Sequence, residues 1–181
     1  MGRPTSISNG VTQTVEKLKS YGAKCDGCPF FSKNEFRPVL PVVPNKPYGV
    51  VIGEAPGKDD CQQGIPFIGA TGEALNEELT EAGLLRAKLV LIHAICCLPT
   101  NKNISIMGRA FHACHGVFLH FMKTIDPQLP VLTMGSWASA AFSGKRVAVE
   151  RTRGFIRYVN LQTEITSIKD DSPKGAEDEA L

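Results

Sequence analysis

The tightest constraint on this chain is the junction at residue 53. A short apolar run, Tyr48-Gly49-Val50-Val51-Ile52, stops at Gly53-Glu54-Ala55-Pro56-Gly57. The chain then passes through Gln63-Gly64-Ile65-Pro66-Phe67-Ile68-Gly69 to Thr71-Gly72-Glu73-Ala74-Leu75. An unbroken apolar run bounded by turn residues reads as a strand buried on both faces. Two further runs have the same character, over 88–95 and 129–134. Between the first two, Thr71 is placed to cap a helix over 72–82, with Leu75 and Leu79 inward and Gly83 as its stop. The longest helix is expected over 106–125, and Gly135-Ser136 opens a short one over 137–142. Val11, Val15 and Leu18 stand at helical spacing before Gly22, so 11–21 is read as a helix and 6–10 as an unstructured lead-in. Residues 30–47 are proline-rich without periodicity and are read as an irregular segment wrapping the core. Extended segments at 147–149 and 155–165 supply a fourth strand.

Strands alternating with helices predict an α/β fold, a three-layer αβα sandwich around a central, mostly parallel four-stranded sheet. The expected organisation is a lead-in and helix over 1–23, one domain over 24–168, and a solvated acidic tail over 169–181. In such sheets ligands bind beyond the carboxyl ends of the strands. The loop after residue 53 carries Phe67, Glu54, Asp59 and Asp60, which makes it a pocket candidate; the plainer reading is a surface loop.

Composition adds bounds. At 181 residues the chain is long enough for a core without staples. It has no apolar run of membrane-spanning length and no secretory pattern at Met1-Gly2-Arg3-Pro4, so a cytoplasmic location and no membrane partner are expected. The net charge of +2 understates how basic the body is, because Asp170, Asp171, Glu177, Asp178 and Glu179 gather at one end. A DNA-binding face is permitted by this balance, not demanded. In a reducing compartment the six cysteines are read as metal ligands or free thiols rather than disulfides. Cys25-Asp26-Gly27-Cys28 can turn two thiolates to one centre, and Cys97 and Cys114 are available to complete it.

With these residues in place, the chain resembles the family 4, iron–sulfur uracil-DNA glycosylases. The resemblance rests on Gly53-Glu54-Ala55-Pro56-Gly57 with Gln63-Gly64, Pro66-Phe67 and Gly69, and on the set Cys25, Cys28, Cys97 and Cys114. Glu81-Ala82-Gly83-Leu84, Met134-Gly135 with Ala138, and Arg153-Gly154 add to it more weakly. It implies a 4Fe–4S cluster on those four cysteines, with zinc as the alternative and Cys96 as the alternative to Cys97. It implies a monomer acting on uracil-containing DNA, with the base flipped into a pocket and its N-glycosidic bond hydrolysed. Phe67 would stack on the base, the turn through Gly53, Glu54, Ala55 and Gly57 would line the pocket, and Asn101 would help place a water. Asp60 stands where the family carries a glutamate closing the space beside uracil C5. The local alternatives are a core phenylalanine for Phe67, a backbone-capping carboxylate for Glu54 and a solvated acid for Asp60.

The chain departs from the family twice. The asparagine that reads uracil at the end of the second strand is here His93, whose one donor and one acceptor lie far apart on the ring. The family's His-Pro motif should follow the Arg-Gly step, yet His93, His112, His115 and His120 all precede Arg153. The expectation is a uracil-DNA glycosylase of reduced or altered activity, with Glu54, Asp60 and His93 as the catalytic candidates. The alternatives are a catalytically inactive iron–sulfur DNA-binding or protein-interaction module, and a zinc-stapled α/β nucleotide-binding domain.

Overall fold

A computed structural model describes residues 5–31 and 38–144, with side chains from residue 11 onward. At its centre are three strands, β1 (Gly49–Gly53), β2 (Leu89–His93) and β3 (Val131–Met134), all parallel in the order β2-β1-β3. The period of two along each strand divides the core. Val50, Ile52, Val90 and Ile92 share one apolar cluster with residues of α1 (Thr5–Ser20), α4 (Ile104–Met122) and α5 (Ser136–Ser143). Val51, Leu89 and Leu91 share the other with Phe67 and with Leu75 and Leu79 of α3 (Ala70–Glu81). Helices thus cover both faces, as the αβα reading requires. Ile52 and Ile92 are fully buried, and truncating either to alanine would cost about 2–5 kcal/mol.

The order β2-β1-β3 has a consequence for the site. The chain runs from β1 outward to β2, then returns across β1 to reach β3 on the other side. The connection out of β1 goes to one side while β3 lies on the other, and the crevice at such a reversal of strand order is where open α/β sheets bind ligands.

Four expectations need adjustment. α1 begins at Thr5, so the segment read as an unstructured lead-in is its first turns. α3 is capped at Gly69, which puts Thr71 inside its first turn. α4 starts at Ile104 because the Asn103 side chain accepts the Ser105 N–H at 2.9 Å, and it ends at Met122. A short helix not foreseen, α2 (Lys58–Gln63), interrupts the glycine-rich loop. Asp60, in its first turn, folds back to accept the Gly57 N–H at 3.1 Å, and this cap starts the helix. Residues 30–47, where described, are irregular as expected, apart from a single antiparallel bridge between Val42 and Leu91. Among the described residues there are three strands; the expected fourth and the acidic tail lie outside them.

Candidate active site

The three strands end side by side. Gly53 is in register with His93 on one flank and with Met134 on the other. Beyond them opens a cavity of about 600 Å³, lined by Gly53, Glu54, Ala55, Gly57, Asp60, Phe67 and His93, among others. Residues far apart in sequence are gathered because each follows the carboxyl end of a parallel strand. Across the cavity, Lys102, Met134, Ser136 and Trp137 complete the wall.

Asp60 is buried and holds the loop together. Its Oδ2 accepts from Gly57 N, and its Oδ1 accepts from Ile68 N at 2.8 Å and Gly69 N at 3.2 Å. His93 Nε2 stands 3.5 Å from Oδ2. Burial pushes the Asp60 carboxyl up, but the His93 contact and the three amides outweigh it and hold the group well below the usual carboxylate range. Asp60 is therefore an ionised clasp, not the solvated acid of the plainer reading.

His93 is 6 % exposed, and burial drives its pKa down against the pull of Asp60. Its ring is neutral at pH 7. A carboxylate beside Nε2 favours the proton on that nitrogen, which leaves Nδ1 as an acceptor. Neither nitrogen makes a well-formed hydrogen bond among the described residues. The ring leans over Gly53, where an added Cβ would lie 2.6 Å from Nδ1 and 2.8 Å from Phe67 Cζ. Only glycine leaves room there.

Phe67 is 2 % exposed, and its ring meets the His93 ring at a centroid distance of 4.5 Å and an angle of 31°. It lines the cavity, yet one of its faces is covered by the imidazole. Its φ of 58° puts a non-glycine residue in the left-handed region, at a cost of about 1–2 kcal/mol. The bonds from Asp60 to the two following amides offset that strain.

Glu54 does cap backbone, as one of its two readings held. Its Oε1 accepts from Ser136 Oγ at 3.1 Å and Trp137 N at 3.0 Å, tying the end of β1 to the first turn of α5. It lines the cavity at the same time. Asn101 is the site candidate that is not brought in: it is exposed, and its Oδ1 accepts the Asn103 N–H in a local turn. Its neighbour Lys102 lines the cavity instead.

The four cysteines gather elsewhere, at the packing of the one-turn 3-10 helix Cys25–Gly27 against α4. All are buried. Burial is the main cause that pushes the Cys25, Cys28 and Cys97 thiols up, and the Cys97 thiol also feels Cys114, Cys28 and Cys25. Cys114 goes the other way, lowered by hydrogen bonding from the Cys96 thiol; its Sγ also accepts the Cys96 N–H at 3.5 Å. Among the described residues no three His, Cys, Asp or Glu side chains are arranged to hold a metal ion.

The uracil DNA glycosylase superfamily model matches residues 40–173. The chain belongs to this superfamily. The matched stretch takes in all three strands and the whole cavity wall, with Cys97 and Cys114; Cys25 and Cys28 precede it. The Type-4 uracil-DNA glycosylase of Thermotoga maritima is 31% identical over 106 residues, covering 58% of this chain and 54% of that one. The Type-4 uracil-DNA glycosylase of Pyrobaculum aerophilum is 33% identical over 92 residues, with 49% and 45% covered. That of Archaeoglobus fulgidus is 31% identical over 90 residues, with 50% and 44% covered. The chain spans about half the length of the curated relatives it matches. No helix among the described residues is long and apolar enough to cross a membrane.

Site residues that sequence reasoning missed include Ser136 and Trp137, the partners of Glu54, and Arg86, which bonds the Pro66 carbonyl. The one available signal was the Gly135-Ser136 helix start, which says that amides are free there but not which carboxylate meets them.

Proposed function

We propose that the chain is a DNA glycosylase of the uracil type, hydrolysing the bond between a flipped-out base and deoxyribose. The observation that carries this is the convergence of Gly53, Glu54, Asp60, Phe67 and His93 on one cavity at the strand ends, in a member of this superfamily. In the reaction the C1′–N bond breaks with its electron pair leaving on the base. Water oxygen bonds C1′, and its proton ends on the departing base. The chain's part is to hold the extruded base, exclude bulk water and face the cation-like sugar with fixed negative charge, from Glu54 and Asp60. The clasped loop makes that charge rigid before the substrate arrives. His93 supports an altered base preference. Both of its ring nitrogens are buried, Nδ1 against Gly53 and Nε2 beside Asp60, so it offers a base edge no adjacent donor and acceptor as an amide would.

Cys25, Cys28, Cys97 and Cys114 would hold the 4Fe–4S cluster. Four buried thiols that influence one another need a cationic partner to ionise. Four cysteine thiolates are the ligand set of a 4Fe–4S cluster; zinc takes the same set. When bound, the cluster would staple the N-terminal segment to the sheet and α4, away from the cavity.

The test is incubation with single-stranded DNA carrying uracil, followed by alkaline cleavage at abasic sites. Strand breaks at the uracil are expected. None with protein in excess of DNA would overturn the reading. It would leave a non-catalytic DNA-binding or protein-interaction module, which the His93 ring lying over Phe67 favours as the second reading.

A further inference from the structure

The segment 66–69 is gripped from two sides by opposite charges. On one side Asp60 takes the amides of Ile68 and Gly69. On the other, Arg86 donates from Nη2 to the Pro66 carbonyl at 2.7 Å and from Nη1 to Asn76 Oδ1 at 3.0 Å. Arg86 opens the one-turn 3-10 helix Arg86–Lys88 before β2, and Asn76 sits on α3. The guanidinium therefore spans three parts of the fold. Tyr48, just before β1, fixes the base of this arm by donating its hydroxyl to the Leu85 carbonyl at 2.8 Å. Between the two grips lies Phe67, with its left-handed backbone and cavity-lining ring. A peptide held at the carbonyl before it and the amides after it cannot rotate without breaking one grip. The direction of the ring is thereby set.

We infer that Arg86 is the positioning residue for the Phe67 ring, and so decides how much of the enzyme's affinity comes from the base itself. This rests on the glycosylase reading. A rigid fork is needed because one guanidinium must serve a carbonyl and an amide oxygen at once; a lysine ammonium can satisfy one of them with the same reach.

The experiment compares two single-stranded oligonucleotides bound to the full chain, by fluorescence anisotropy. One carries 2′-fluoro-2′-deoxyuridine, which resists cleavage because fluorine disfavours the cation-like sugar. The other carries tetrahydrofuran, with no base, at the same position. The ratio of their Kd values isolates the contribution of the base. Stacking on an aromatic should make the wild-type ratio about tenfold or more. R86A should bring the ratio close to one while leaving the tetrahydrofuran affinity unchanged, and R86K should retain part of it. N76A, an exposed change on α3 that releases only Nη1, should lower the ratio by about threefold and keeps the test open if R86A fails to fold. A wild-type ratio preserved in both R86A and N76A overturns the inference. So does an equal loss of affinity for both oligonucleotides, which would mark Arg86 as a general prop. A wild-type ratio of one overturns the glycosylase reading and the inference together, so the two failures are distinguishable.

Discussion

Gly72→Ala is the sharpest probe of the clasped loop. An added Cβ would stand 1.7 Å from the Phe67 carbonyl oxygen and 2.0 Å from its carbon, both backbone atoms. Real Cβ contacts do not fall below 3.0 Å, so α3 and the loop must separate by at least 1.3 Å, the difference between 3.0 and 1.7. A shift of that size carries the Ile68 and Gly69 amides, now 2.8 and 3.2 Å from Asp60, out of hydrogen-bond range. Bonds to a charged group contribute about 1.5–3 kcal/mol each. Against the loss of two stands the gain of about 1 kcal/mol from replacing glycine in a helix. The net destabilisation is about 4 kcal/mol, a fall in Tm of about 10 °C for a domain of this size. Urea unfolding followed by far-ultraviolet circular dichroism measures it, with Gly57→Ala as the control. Its Cβ would meet nothing within 4 Å among the described residues, so its cost should be no more than the N-cap preference for glycine over alanine, about 1 kcal/mol. A G72A protein within about 1 kcal/mol of wild type would refute the claim that the Phe67 backbone is pressed against α3.

Glu54→Ala should destabilise by about 1–2 kcal/mol through loss of a helix cap; because Trp137 is the sole tryptophan, its emission should shift with the change, and an unaltered spectrum would argue against the joint. His115 lies between Phe111 and Phe118 with its pKa brought down to about 4, by burial first and by His112 second. The unfolded chain takes up the proton more readily, so stability should fall as pH drops from about 6.5 toward 4; His115→Leu should flatten that slope in denaturation series, and an unchanged slope would count against it. Cys97→Ala should abolish the broad visible absorbance of an iron–sulfur cluster while Cys96→Ala retains it; the reverse outcome would make Cys96 the ligand.

Strand and helix alternation was legible because burial imposes periods of two and of 3.6 on any chain that covers a sheet with helices. The run before Gly53 and the glycine and proline after it marked a strand end and its loop, and Gly53, Glu54, Asp60 and Phe67 all line the cavity there. α2 was not legible, since its start depends on one carboxylate folding back onto Gly57. Asn101 was misplaced because its neighbours carry no periodicity to say which side chain turns inward.

The amino-acid order alone determined the layers, the strand ends and the composition of the loop, because those follow from local spacing and the avoidance of water by apolar faces. Only the tertiary structure decided who meets whom: Asp60 with the amides of 68 and 69, Glu54 with α5, Arg86 with Pro66, and the His93 ring over Phe67. Such pairings join residues brought close by the crossing of separate parallel strands, and no period in the sequence encodes the angle at which they arrive.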